Sequence, residues 1–261
     1  MKIDIYQVDA FADELFTGNP AAVCPLRNWL PDQTMQKIAA ENNLSETAFF
    51  VPEENGYRIR WFTPETEVDL CGHATLASAH VIFVHVSQGK TNRIQFNSKS
   101  GPLYISKYDD LITLNFPVAN LKKVEPPSDL VKALGMEPVE TWIASDYLVL
   151  LDSQADIIKA APDFNLLRTL DIRGLIITAR GDSVDFVSRF FAPGAGINED
   201  PVTGSSHTML TPFWARRLRK TEMIARQLSR RGGTLFCKLM DDRVEISGKA
   251  VTYLTGIISV S

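Results

Sequence analysis

The sequence predicts a mixed α+β protein of two similar domains, each a set of short strands wrapped around one buried central helix. Three observations carry this expectation. Short apolar or alternating runs of four to nine residues, set apart by Gly, Pro, Asn or Asp, dominate both halves of the 261-residue chain. One helical stretch, His73 to Val86, contains no Lys, Arg, Asp or Glu, and a helix apolar on every face is a buried one. The third is an internal repeat. Arg60-Trp61-Phe62-Thr63-Pro64 is followed after eight residues by Gly72, and Arg189-Phe190-Phe191-Ala192-Pro193 is followed after eleven by Gly204. A three-residue insertion brings the two into register.

The elements follow in order. In the first half Ile3 to Phe11, Ala21 to Leu26, Thr47 to Val51, Tyr57 to Phe62 and Arg93 to Phe96 read as strands. Leu103 to Lys107 and Leu111 to Phe116 form a hairpin through Tyr108-Asp109-Asp110. Helical spacing appears at Asp32 to Asn42 and at His73 to Val86. Beyond Pro117 the chain turns polar and carries Pro126-Pro127, which places a boundary near residue 118. Domains of 1–117 and 118–261 are expected, with the last strand free to return to the first. In the second half strands are expected near Val139 to Ala144, Leu148 to Leu151, Leu175 to Ala179 and Val184 to Phe191. A helix over Ser205 to Leu218 and strands near Thr234 to Met240, Val244 to Ser247 and Val251 to Val260 complete it. Ile224 to Arg230 fits either period, and the Arg231-Gly232-Gly233 turn after it favours a hairpin.

Composition narrows the function. A formal charge of −4 gives no electrostatic reason to bind nucleic acid or an anionic membrane. The run of basic residues from Arg216 to Arg231 reads as solvated surface. Three cysteines, Cys24, Cys71 and Cys237, no two closer than 47 residues, make neither a disulfide framework nor a metal knuckle. With no apolar N-terminal segment of signal-peptide length, a cytoplasmic protein is expected. His73 and His80 share a helix face but stand ~10.5 Å apart along the axis, too far to ligate one metal. Gly194-Ala195-Gly196 lacks the remaining glycine and lysine of a phosphate cradle. Neither a metal nor a nucleotide cofactor is expected.

Each repeat delivers a glycine to the start of a helix, in Cys71-Gly72-His73-Ala74-Thr75 and in Thr203-Gly204-Ser205-Ser206. Free amides at such a start suit a carboxylate. One such motif alone reads as a plain helix cap, whereas its repetition points to a shared cleft for a small acid. At a helix N-terminus His73 is expected to be neutral, a hydrogen-bond partner or electrophile. Two carboxylates stand out. Glu46 opens an apolar strand and Asp200 precedes Gly204 by four residues. Burial would fit either for proton transfer; spacing alone makes Glu46 a solvated strand end and Asp200 a turn-forming Asp-Pro.

At these residues the chain resembles the PhzF-like phenazine-biosynthesis isomerase family of the diaminopimelate epimerase-like fold. The resemblance runs through Asp9-Ala10-Phe11, Phe16 to Val23, Asn43 to Phe49, Arg60 to Ala77, Arg189 to Ser206 and Arg231-Gly232-Gly233. It implies two barrel-like domains, each around a central helix, with the active site between them, and a homodimer. It also implies that Glu46, in Ser45-Glu46-Thr47-Ala48, is the proton-shuttling acid/base. His73, Asp200 and Ser205 would be its partners, and the backbone near Gly72, Thr203 and Gly204 would hold the substrate.

Epimerase and racemase relatives of that fold use one cysteine from each half. This chain has Cys71 but no cysteine near Thr203-Gly204, which disfavours two-thiol racemisation. The expected activity is therefore a cofactor-independent isomerisation that moves a proton along a small conjugated carboxylic acid. The rival readings are a racemase or epimerase acting beside a carboxylate, and a non-catalytic binding protein that uses the arginine-rich surface.

Overall fold

The computed structural model describes residues 1–260, which pack into two compact units. The first takes Met1–Asn115 together with the chain from Ser247 onward, and the second is Phe116–Ile246. The final strand thus belongs with the N-terminal part of the chain. No helix among the described residues is long and apolar enough to cross a membrane.

In the first unit the order is β1 (Lys2–Ala10), β2 (Asn19–Pro25), α1 (Asp32–Asn42), β3 (Glu46–Glu53), β4 (Gly56–Phe62), β5 (Glu67–Val68), α2 (Gly72–Val81), β6 (Arg93–Ser98), β7 (Gly101–Tyr108) and β8 (Leu111–Pro117). β1 pairs antiparallel with β2 and with the last strand, Ala250–Ser259. β2 pairs parallel with β3, the helix α1 making the crossover, and β3 pairs antiparallel with β4. Successive side chains of a strand alternate in face, so Thr47, Phe49 and Val51 share one side of β3. Phe49 and Val51 pack with Met35 and Ile38 of α1, and Asn42 donates to the Thr47 hydroxyl. The opposite face, with Glu46, Ala48 and Phe50, is turned to α2. That helix packs on β1, β2, β3 and the last strand, and every residue from Gly72 to Ala79 is buried. A π-helical turn, Ile82–Val86, continues it. His80 and His85 both lie against the Thr252 hydroxyl, at 2.9 and 3.1 Å.

The turn between β1 and β2 carries the Thr17-Gly18-Asn19 motif. Gly18 has φ +66° and a Cβ there would lie 2.2 Å from the Ala10 carbonyl oxygen, so only glycine lets the two strands meet this closely.

The second unit runs β9 (Lys122–Val124), α3 (Ser128–Leu134), β10 (Glu140–Ile143), β11 (Tyr147–Leu150), α4 (Gln154–Lys159), α5 (Phe164–Thr169), β12 (Leu175–Arg180), β13 (Phe186–Ala192), β14 (Ile197–Asp200), α6 (His207–Leu218), β15 (Glu222–Gln227), β16 (Gly233–Leu239) and β17 (Arg243–Gly248). β11 pairs parallel with β12, and β12 antiparallel with β13, the same sequence of pairings as β2, β3 and β4. Leu175, Ile177 and Ala179 on one face of β12 pack with Leu130, Ile157 and Leu167 of α3, α4 and α5. On the other face Thr178 accepts from the Trp214 indole of α6 at 2.9 Å, and Phe186 stacks on that indole with centroids 5.7 Å apart. The ambiguous Ile224 segment is the strand β15, in antiparallel register with β16.

One sequence expectation is corrected and three elements are added. The second central helix begins at His207, not at Gly204. Gly204 to Ser206 form a tighter turn in which the amides of His207, Thr208 and Met209 bond back three residues. The three short helices α3, α4 and α5, of seven, six and six residues, carry too little apolar periodicity to be seen beforehand.

Candidate active site

In the first unit the strand β3 and the helix α2 bring together two of the expected residues. His73 Nε2 lies 3.2 Å from Glu46 Oε2, the two side chains being 5% and 13% exposed. Each atom is buried and off-line for a hydrogen bond, and neither has another partner. Loose geometry of this kind is common between catalytic groups before substrate tightens the site. On the other edge of the imidazole, Nδ1 is 3.5 Å from the buried Cys71 sulfur. Cys71 is extended and precedes the helix, and no side chain caps it. The Gly72 and His73 amides stand in the first turn of the helix, where no intrahelical carbonyl is available to them.

The protonation of His73 differs from the expectation. Burial alone would push the imidazole down, but Cys71 and Glu46 on its two edges outweigh it and hold the group well above its ordinary value. Burial, reinforced by the Glu46 charge, pushes the Cys71 thiol up to about 11. These two neighbours thus act against the downward shift that burial and a helix terminus alone would give. Because the folded value is raised, this group stabilises the fold most below pH ~6.5 and loses that contribution as pH rises through the folded value. Ring-proton NMR should show His73 titrating above a free imidazole in the wild type, and lower in Glu46→Gln.

Glu46, Cys71 and His73 offer three donor atoms within 4.8 Å of one another. The sulfur approaches Nδ1 and the carboxylate approaches Nε2, so the three side chains form one chain of polar contacts through the imidazole.

The other expected residues gather in the second unit. The Thr203 hydroxyl donates to Asp200 Oδ2 at 2.5 Å, and both residues are buried. Ser206 Oγ donates to the Thr203 carbonyl, as does His207 Nδ1, at 2.8 and 2.9 Å. Burial pushes His207 down to about 4, so it acts there as a neutral ring. Ser205 is half-buried, and its hydroxyl has no hydrogen-bond partner among the described residues. Gln227, fully buried, braces this turn. Its Nε2 donates to the Asp200 carbonyl at 2.8 Å and to the Thr203 hydroxyl at 3.2 Å, and its Oε1 accepts from the Thr203 amide at 2.9 Å. The sequence contained one sign of it, a glutamine at an inward position of an alternating strand behind Met223 and Ala225.

Strand register makes the repeat concrete. Trp61 pairs with Val68 and Phe190 with Asp200, so Cys71, Gly72 and His73 correspond to Thr203, Gly204 and Ser205. Arg60 grips Glu67 through Nε and Nη2 at 2.7 and 2.8 Å, and Arg189 grips Glu199 in the same way at 2.7 and 3.0 Å. The partner lies seven residues on in one and ten in the other, the same three-residue insertion. Thr47 pairs with Phe62 and Leu175 with Phe191, so the residue corresponding to Glu46 is Gly174. The two units share a scaffold but not a carboxylate at that strand start.

Comparison with known proteins agrees with this architecture. Residues 8–256 match the family model described as phenazine biosynthesis-like protein. A protein of Pseudomonas aeruginosa named an uncharacterized isomerase is 49% identical over 258 residues, covering 99% of each chain. The crystal structure of a PhzF-family phenazine biosynthesis protein from Enterococcus faecalis superposes with a TM-score of 0.97 at 47% identity, over the whole of both chains. A hydroxyproline epimerase from Agrobacterium vitis, 10% identical, superposes with a TM-score of 0.65 over 98% of this chain and 92% of its own, a likeness of fold. Matched along nearly its whole length by the model and by relatives at about half identity, the chain belongs to the phenazine biosynthesis-like (PhzF) family.

Proposed function

We propose that this protein is an isomerase that moves a proton between two carbons of a small conjugated carboxylic acid, without metal or cofactor. Glu46 is the acid/base. The observation that carries the reading is the nearly buried Glu46 carboxylate facing the buried His73 imidazole across 3.2 Å, at the start of an apolar helix with no side-chain cap. The Glu46 carboxylate takes a proton from one carbon of the bound acid, the electron pair left behind shifts along the conjugated system, and Glu46 returns the proton at the far end. His73 stabilises charge as it develops beside the carboxylate. The backbone at Gly72 binds the acid beside them; in the second unit Asp200 and Ser205 are polar groups able to relay protons, with the Thr203 and Gly204 backbone beside them.

Two-thiol racemisation has less support. The residue in register with Cys71 is Thr203, and the Cys71 thiol is held at about 11, far from the value of an effective base. Incubation with a panel of unsaturated and cyclic carboxylic acids in D2O tests the proposal. Deuterium should enter a carbon of the conjugated chain as the double bond moves. Exchange confined to a stereocentre next to the carboxylate, with inversion, would support an epimerase instead.

A further inference from the structure

Beside the turn that holds Asp200 and Thr203, the second unit carries a polar pair that the proposed mechanism does not use. The Asp146 side chain is fully buried, while its partner Arg173 is 49% exposed. Arg173 Nε donates to Asp146 Oδ1 at 2.9 Å and Nη2 donates to Oδ2. Ser145 Oγ donates to the same Oδ2 at 3.2 Å. The guanidinium carbon also lies 5.8 Å from the centre of the Phe190 ring, and Phe190 is the residue whose backbone pairs with Asp200. The site is closely fitted. A Cβ on Gly174 would stand 2.4 Å from Phe190 Cζ and 3.2 Å from Asp146 Oδ1, so the strand start is glycine to make room for the ring and the carboxylate.

The position within the repeat gives this pair its meaning. Gly174 corresponds to Glu46, so Arg173 corresponds to Ser45 and stands, within its own unit, at the strand start that in the first unit faces His73. Its counterpart across the turn is Ser205. A half-buried ion pair contributes little net stability, because desolvating the carboxylate offsets most of the attraction. What it does supply is a guanidinium with two of its three nitrogens fixed and Nη1 free of any partner among the described residues. A planar fork held in place from below is the arrangement that recognises a carboxylate.

We propose that Arg173 is an acid-binding residue of the second unit that receives a carboxylate, held in position by Asp146 and Phe190. This rests on the isomerase reading for the identity of the acid, but not for the binding itself. A charge-assisted bond to the fork would make the site discriminate acids from their neutral amides.

Benzoate and its neutral isostere benzamide serve as probes, with binding to the full-length protein followed by NMR titration. The wild type should bind benzoate at least tenfold more tightly than benzamide. Arg173→Gln should weaken benzoate by about tenfold to a hundredfold and leave benzamide unchanged, while Arg173→Lys, which keeps the charge but not the fork, should recover only part. Circular dichroism checks that each variant is folded, and the lysine variant stands in if the glutamine variant is not. Unchanged benzoate affinity in the folded variants, or no preference for benzoate in the wild type, would overturn the assignment. Failure of the isomerase reading shows itself differently, as absence of deuterium exchange with any acid while benzoate still binds through Arg173.

Discussion

Replacing Glu46 with Gln should lower turnover by about 10²–10⁴ while leaving substrate affinity within a few-fold of wild type. The substitution keeps the shape of the side chain and removes only its capacity to take a proton. Glu46 is 13% exposed and faces His73 at 3.2 Å. The same variant should titrate His73 lower, since the carboxylate is one of the two neighbours that raise it. Steady-state kinetics on whichever acid shows exchange, combined with the NMR titration, separates the two effects. A variant with full kcat and a shifted His73 would leave the electrostatics intact and remove the acid/base role.

Replacing Arg189 with Met should destabilise the protein by about 3–5 kcal/mol in chemical denaturation. Arg189 is 13% exposed and makes the bidentate pair with Glu199. Its Nη1 also donates to the carbonyls of Ile157 and Ala160 at 3.0 and 2.7 Å, tying α4 to β13. Methionine fills the space of the stem but leaves a part-buried carboxylate and two carbonyls without their donor. The corresponding Arg60→Met should cost less. Glu67, which the Arg60 guanidinium holds down to about 2, retains Lys99 at 2.7 Å. A larger loss at Arg60 than at Arg189 would show that the carbonyl contacts of Arg189 carry no weight.

Much of the scaffold was legible because its key positions are local in sequence. The Arg-aromatic-aromatic strand, the proline and the glycine recur in order, and the three-residue insertion that aligned them reappears as the spacing of Arg60 to Glu67 and Arg189 to Glu199. The uncharged stretch from His73 is buried as its composition demands. What composition could not show is which side of a strand meets which helix. Glu46 is 27 residues from His73, and only the parallel pairing of β2 with β3 turns that face of β3 to α2. The neutral reading of His73 considered the helix terminus alone and so missed the carboxylate 3.2 Å away. At Gly204 the sequence marked the right turn but the wrong helix start, because the bonds that close Gly204 to Ser206 span three residues, where an α-helix spans four. Asp146 and Arg173, 27 residues apart, belong to no local pattern at all.

A substrate deuterated at the donor carbon and turned over in ordinary water tests the single-carboxylate shuttle most directly. One group that takes and returns the proton should deliver it to the same face of the molecule, with part of the deuterium reappearing at the acceptor carbon before solvent washes it out. Delivery to the opposite face, with none of the label carried across even in the first turnover, would mean two separate acid and base groups and would contradict Glu46 as the shuttle.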